Sequence, residues 1–455
     1  MSKFQIVSIL LMIFWLPLFT QPPDTLWTKT YGDTAEDYGE SVQQTTDGGY
    51  ILTGHTSSFG AGSLDVYLIK TDSLGETLWT RTFGGIDEDR GYSVLQAREG
   101  GYIIVGGTKS FGTGDFDLYL IKTDQLGETL WTRTYGGTGF DMGYSISNTL
   151  DGCYIITGRK SGANGGVWLL KISGNGDTLW SRTFGGNCGY AVKQTADSGY
   201  IIAGSNGKIW LVKTDANGDT LWTKSYIYSP GSAIYCTGLD VSQTYDLGYI
   251  VSGYSIDWTG DYRVMDLLKT DSLGRKEWHN WYGEWTFGYS VLQTPDSGYV
   301  VGGEDYGAVY ILKTYPNGST KWEKHVNFPY FSRGRDIQQT SDNGFIVVGD
   351  RRYMHTFTHD VVLIKLSAEP GIEDGMELKE GGWRISNPVY GGFLRLSGIT
   401  GSIGVELLDI LGRRVLSQTV SPQRPYLNLR DLRSGIYFLK VSGQKPELIK
   451  VILIR

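Results

Sequence analysis

Residues 117–137 read DLYLIKTDQLGETLWTRTYGG, and variants of this phrase return along most of the chain. Tyr119 and Ile121 alternate with Leu120 and Lys122, a period of two built from β-formers. Thr123, Asp124, Gln125, Leu126 and Gly127 form a turn, because Asp bonds its own backbone and Gly accepts a positive φ. The segment from Leu130 to Tyr135 is the returning strand. Its tryptophan recurs at Trp27, Trp79, Trp131, Trp180, Trp222, Trp278 and Trp322, at spacings of 52, 52, 49, 42, 56 and 44 residues. Self-similarity at that period, with four strands per unit, predicts a β-propeller.

The register of the repeats sets the blade number. Each first strand follows a glycine: Gly39, Gly91, Gly143, Gly189, Gly238, Gly288 and Gly334. That predicts seven blades over residues 25–366. The seventh repeat has no tryptophan strand, whereas the chain begins with an orphan one, Thr25–Tyr31. A ring must cover its exposed sheet edges, so this strand is expected to close blade seven. Strand alternation then puts two short, uniform turns of each blade on one face. The loops between strands two and three, and the links between blades, fall on the other face, where length and content vary. Variable loops on a rigid scaffold are the usual place for binding.

Charge and cysteine narrow the classes. The net charge of −7 argues against nucleic acid as a partner. Residues 381–455 hold 11 Lys and Arg against 4 Asp and Glu, which leaves −14 on residues 1–380 and marks the C-terminal piece as a separate domain. Cys153, Cys188 and Cys236 form no disulfide framework, and Cys153 is expected as a packed thiol. Residues 1–20 read as a secretory signal, with Lys3 before an apolar run over 6–19 and Pro22-Pro23 after it. No later segment is long and apolar enough to span a bilayer.

The repeated phrase resembles the bacterial secreted β-propeller repeat over residues 25–366, which implies the fold and an exported protein but no activity. Quinoprotein and outer-membrane assembly propellers have similar repeats, but the metal and cofactor constellation of quinoproteins is not found, so no cofactor is expected. Residues 383–455 carry a second resemblance. Asn387-Pro388 is followed by a strand with Asp409, Gly412 and Arg413, then by Ser434-Gly435-Ile436-Tyr437 and a basic apolar tail. This order looks like the C-terminal sorting domain of the type IX secretion system. It implies that the secretion machinery is a partner and that the chain is secreted or displayed at the cell surface. Alternation within the segment itself predicts a small Ig-like antiparallel β-sandwich. Residues 367–382, acidic and Gly-containing, read as a linker.

Candidate sites are few. His355 and His359 share one loop, but on a loop they lack the helical spacing of a metal pair. Asp37, Asp89 and Asp141 stand two residues before the first-strand glycine of blades one to three. They are expected to point to the channel mouth, either as turn caps or as a half-ring able to hold Ca²⁺. Arg333, Arg335, Arg351 and Arg352 cluster in blade seven without the matching acid and tyrosine of a sialidase-type site. Aromatic residues gather on the variable face of blades five to seven at Trp258, Trp281, Trp285, Tyr330 and Tyr353, and such rings suit a sugar face or a protein hot spot. The reading is therefore an exported binding module for an extracellular glycan or protein. A secreted glycan-degrading hydrolase or lyase on the same scaffold is the alternative.

Overall fold

The structure is a computed structural model. It describes residues 21–163, 165–227, 233–257, 263–353 and 358–369. In the C-terminal part it describes 384–385, 389–390, 393–397, 402–409, 413–421, 426–429, 432, 435–441 and 449–454. The signal expected at 1–20, Trp258, Asn387, Pro388, Gly412 and most of the expected linker lie outside these residues.

Seven four-stranded antiparallel sheets follow one another as the repeats require. Blade one runs Asp37–Gln44, Tyr50–Thr56, Asp65–Thr71 and Thr77–Phe83, from the channel outward. Blade seven is Ser332–Gln339, Phe345–Arg352 and His359–Leu366, closed by Thr25–Tyr31 at its outer edge. Ser367 N–H donates to the Asp24 carbonyl at 2.9 Å, so the chain enters and leaves the ring side by side.

The residues that define the repeat each solve a burial problem. Second and third strands are buried on both faces, as in Tyr102–Thr108 and Asp117–Thr123, so they read as apolar runs. The outer-strand tryptophan covers the tyrosine that opens the next blade's second strand. Trp79 lies 5.8 Å from Tyr102 and Trp180 lies 5.8 Å from Tyr200, ring centre to ring centre. The third-strand lysine is buried and needs a counter-charge, which the turn between strands one and two supplies. Lys70 meets Asp47, Lys213 meets Asp197 and Lys365 meets Asp342 at 2.8–2.9 Å. The four remaining blades make the same clip. Blade six goes furthest: Asp296 holds both Lys313 and Lys321, and Glu369, just past the last strand, joins them.

The C-terminal part is a second all-β unit. Arg384–Ile385, Phe393–Ser397 and Tyr426–Asn428 form one sheet. Val389–Tyr390, Ile449–Ile454, Gly435–Val441, Ile403–Leu408 and Arg414–Val420 form the other, and Leu394, Leu407, Leu427 and Leu439 are among the residues of their shared core. The expected all-antiparallel pairing needs one correction, because Val389–Tyr390 pairs parallel to Ile449–Ile454. Asp409 accepts from both the backbone amide and the guanidinium of Arg413. Tyr437 packs against the sheet core and Gly435 opens its strand. No two of the three cysteines are joined in a disulfide, and Cys153 is only half-buried where a packed thiol was expected.

Candidate functional site at the channel mouth

Every first strand carries a β-bulge at the same place. In blade one the pairing jumps from Gly39↔Gly54 to Ser41↔Thr53, which leaves Glu40 unpaired. The same jump recurs in the other six blades. A bulge inserts one residue and re-aims its side chain. Gly54 makes room for it, since a Cβ there would run into the Tyr38 carbonyl. The extra residue of each blade lines one cavity of about 910 Å³ on the variable face, made by Glu40, Tyr92, Tyr144, Tyr190, Leu239, Tyr289 and Arg335.

The ring is continuous around most of the channel. Tyr144 packs between Tyr92 at 5.0 Å and Tyr190 at 5.5 Å. Arg335 lies over Tyr289 at 4.7 Å and faces Glu40 at 3.8 Å. Above this ring stand the residues that precede the bulge glycines. Tyr38 sits between the rings of His55 and His359, at 4.8 and 5.0 Å, and donates its hydroxyl to Glu36 at 2.6 Å. Arg90 pairs with Glu88. Arg333 and His359 both hold the buried Asp350, at 2.8 and 2.9 Å. Below the ring, Asp336 accepts from Ser290 and from the Val42 amide, so hydrogen bonds draw the channel together.

Burial and these pairings shift the ionisable groups. Burial pushes the Glu40 carboxyl up against the opposing pull of Arg335. Burial also raises Glu304, whose carboxylate accepts from the Tyr289 hydroxyl, to about 6. Burial, with Arg90 nearby, drives His55 down to about 3, so it stays neutral. Burial would raise Asp350 as well, but its bond to His359 and the two guanidinia hold it below the usual carboxylate range. The mouth thus combines stacking faces with fixed charges of both signs, and burial raises the Glu40 carboxyl within it and the Glu304 carboxyl in the adjoining cavity.

The residues expected from sequence fall in three places. Asp37, Asp89 and Asp141 do not reach the channel, which corrects the half-ring. Strand alternation turns them away from Tyr38 and Arg90 beside them and into the links between blades. There they accept from the Asp33, Gly85 and Gly137 amides. Among the described residues no group of three His, Cys, Asp or Glu stands together to hold a metal. Trp281, Trp285, Tyr330 and Tyr353 are 37–43% exposed, so they form surface and not core. Trp285 enters a cavity of about 470 Å³ that it shares with Phe287, Tyr306 and Phe331 and that adjoins the channel mouth through Tyr289 and Arg333. Trp285 and Tyr306 both hold a left-handed backbone, φ 58° and 44°, a conformation that side chains adopt only under constraint. Tyr353 is instead stacked under Arg351 at 4.5 Å.

The fold and its site define a seven-bladed β-propeller with a polar and aromatic channel mouth. Comparison with known proteins agrees. Residues 387–455 match the secretion system C-terminal sorting domain. A stretch of 144 residues, 28% of this chain, is 27% identical to the regulatory protein FlaEY of Caulobacter vibrioides and spans 15% of that protein. The crystal structure of the WD40 β-propeller domain of Doa1 superimposes with a TM-score of 0.51 at 17% identity, over 76% of this chain and 97% of that one. That likeness is one of fold. The sorting domain marks the chain as cargo of the type IX secretion system, exported to the cell surface or released. No helix among the described residues is long and apolar enough to cross a membrane.

Proposed function

We propose that the exported propeller binds a carbohydrate in the channel mouth, as a surface or extracellular binding module. The observation that carries this reading is the bulge ring. It presents four tyrosine side chains beside Arg335 and Glu40 in one cavity. Sugars present apolar faces that stack on aromatic rings and hydroxyls that bond to carboxylates and guanidinia, and a preformed concave site with few fixed polar groups suits them. The test is a glycan array probed with the mature chain, followed by the Tyr144→Ala and Arg335→Gln variants. Retention of a glycan that both variants lose supports the reading. Retention unaffected by either refutes it.

A second reading places hydrolysis or elimination at the same mouth. It is favoured by Glu304, which lines the adjoining cavity and whose carboxyl burial raises to about 6, since a carboxyl that holds its proton closer to neutral pH is the usual general acid. Incubating the bound glycan with the protein and analysing products by mass spectrometry decides between them. Cleavage that Glu304→Gln abolishes, with binding intact, establishes an enzyme.

A further inference from the structure

The face with the short turns is regular in backbone but not in what covers it. The turn between strands one and two closes with the same pair of backbone hydrogen bonds in all seven blades. In five blades its clip carboxylate is open to water: the side chains of Asp47, Glu99, Asp151, Asp197 and Asp342 are 52–58% exposed. In blades five and six the matching Asp246 and Asp296 are 16% and 15% exposed. Since the turns are alike, the difference comes from what lies over them.

Two parts of the chain beyond the ring lie there. Glu369, itself buried, meets Lys321 at 2.5 Å and Lys313 at 3.8 Å in blade six. Tyr426, in the C-terminal unit, packs on Tyr245 beside Asp246 in blade five, with ring centres 4.9 Å apart.

The repeats supply an independent comparison. The residue before the repeat tryptophan is an exposed leucine in five blades: Leu26, Leu78, Leu130, Leu179 and Leu221. In blade six it is the buried Lys321. Trp322 beside it is buried as well, whereas the tryptophans of the other repeats are half-buried. Lys313 and Lys321 bring two positive charges against the one of Asp296, and buried charges need partners. Glu369 supplies the second carboxylate, from outside the ring. The turn position of Tyr245 holds Thr46, Arg98, Leu150, Ala196, Pro295 and Ser341 in the other blades, so an aromatic ring stands there in blade five alone. The two blades depart from the repeat where the later chain covers them. Net charge favours the contact too, with +7 on residues 381–455 against −14 on the rest.

We infer that the short-turn face of blades five and six is a dock for the chain's own sorting domain, anchored through Glu369 in blade six and Tyr245 in blade five. The dock is on the opposite face from the channel mouth. It presents the sorting domain to the secretion machinery from one side of the ring and leaves the other side open. Nothing in it depends on the carbohydrate reading.

The test uses the full chain. Carbodiimide coupling of an amine to surface carboxyls, mapped by mass spectrometry, should label Asp246 and Asp296 about threefold less than Asp47, Asp197 and Asp342, following their exposures. Tyr426→Ala should raise labelling at Asp246 and leave Asp47 unchanged. A short bis-maleimide should join Tyr245→Cys to Tyr426→Cys in a Cys153→Ser background. Thr46→Cys at the same turn position of blade one should give no link to Tyr426→Cys, although the tether is the same. If Tyr426 cannot be replaced without unfolding its domain, labelling of the unaltered chain and its loss of protection in 1 M salt, which screens the attraction, still decide. Equal labelling of all five aspartates overturns the inference. So does cross-linking to Thr46→Cys as efficient as to Tyr245→Cys, or protection of Asp246 that neither Tyr426→Ala nor salt reduces, which would assign its cover to the blade's own side chains.

Discussion

Seven lysines meet seven turn carboxylates on the uniform face of the ring, one clip per blade, and the clip changes little from blade to blade. On the opposite face the bulge delivers an equally regular position, yet its occupants run from glutamate through tyrosine and leucine to arginine. Both positions are set by the same backbone. The difference lies in what each side chain must satisfy. A buried lysine has one solution, a nearby carboxylate, so the residue is determined by its own blade. A side chain that projects into the mouth meets partners from other blades, as Arg335 meets Glu40 and Tyr289, so its own blade does not dictate its identity.

Variants should separate the two faces. The largest effect is expected at Asp296, which leaves Lys313 buried and poorly compensated when replaced by Ala. Losing one partner of a buried pair costs about 3–5 kcal/mol. Denaturant unfolding should show that loss, while any ligand binding at the mouth survives in the fraction that folds.

Acid should act on the faces with opposite sign. Although burial opposes it, hydrogen bonds and lysine partners hold Asp47, Asp197, Asp246 and Asp342 below their ordinary range. The stability they contribute is present above the unfolded carboxylate range and is lost as pH falls through their depressed values. Glu304 is raised from 4.5 to about 6, so the folded state keeps its proton longer. Its contribution is full below 4.5 and is lost as pH rises to about 6, by about 2 kcal/mol. Glu304→Gln should remove that loss, seen as a smaller fall in melting temperature between those two pH values. An unchanged profile would deny the raised carboxyl.

Smaller effects belong to the mouth and its annex. Tyr144→Ala should lower glycan retention about tenfold, the range of an aromatic hot spot, with a modest change in melting temperature. Trp285→Ala should cost less than about 1 kcal/mol of stability. It should weaken a long oligosaccharide more than a short one, since its cavity only adjoins the mouth. Equal loss for both lengths would separate Trp285 from the binding path.

What the sequence made legible follows the same division. The seven blades, the closing strand Thr25–Tyr31 and the tryptophan staples were visible because each answers a local burial need that recurs at every turn of the repeat. The mouth was not. Counting alternation back from the first-strand glycine pointed to Asp37, Asp89 and Asp141, whereas the bulge hands the channel to the residue after the glycine. The signal was present, since tyrosine follows that glycine in four blades, but a bulge leaves no mark in a hydrophobic pattern. Phe287 and Tyr306 were missed because nothing local to the sequence places them in one cavity with Trp285.

The side-by-side entry and exit of the chain at Asp24 and Ser367 bears on how the molecule carries a load. Where the protein is retained at a surface by its C-terminal region, a ligand pulled from the mouth puts tension on His359–Leu366, entering at the Leu366 end. That strand is hydrogen-bonded on both flanks, to Phe345–Arg352 and to Thr25–Tyr31. Antiparallel bonds lie across the strand direction, so the pull must shear both rows at once and cannot peel them one by one. Without the N-terminal strand the same segment would be an edge, with one row of bonds to bear the load in place of two.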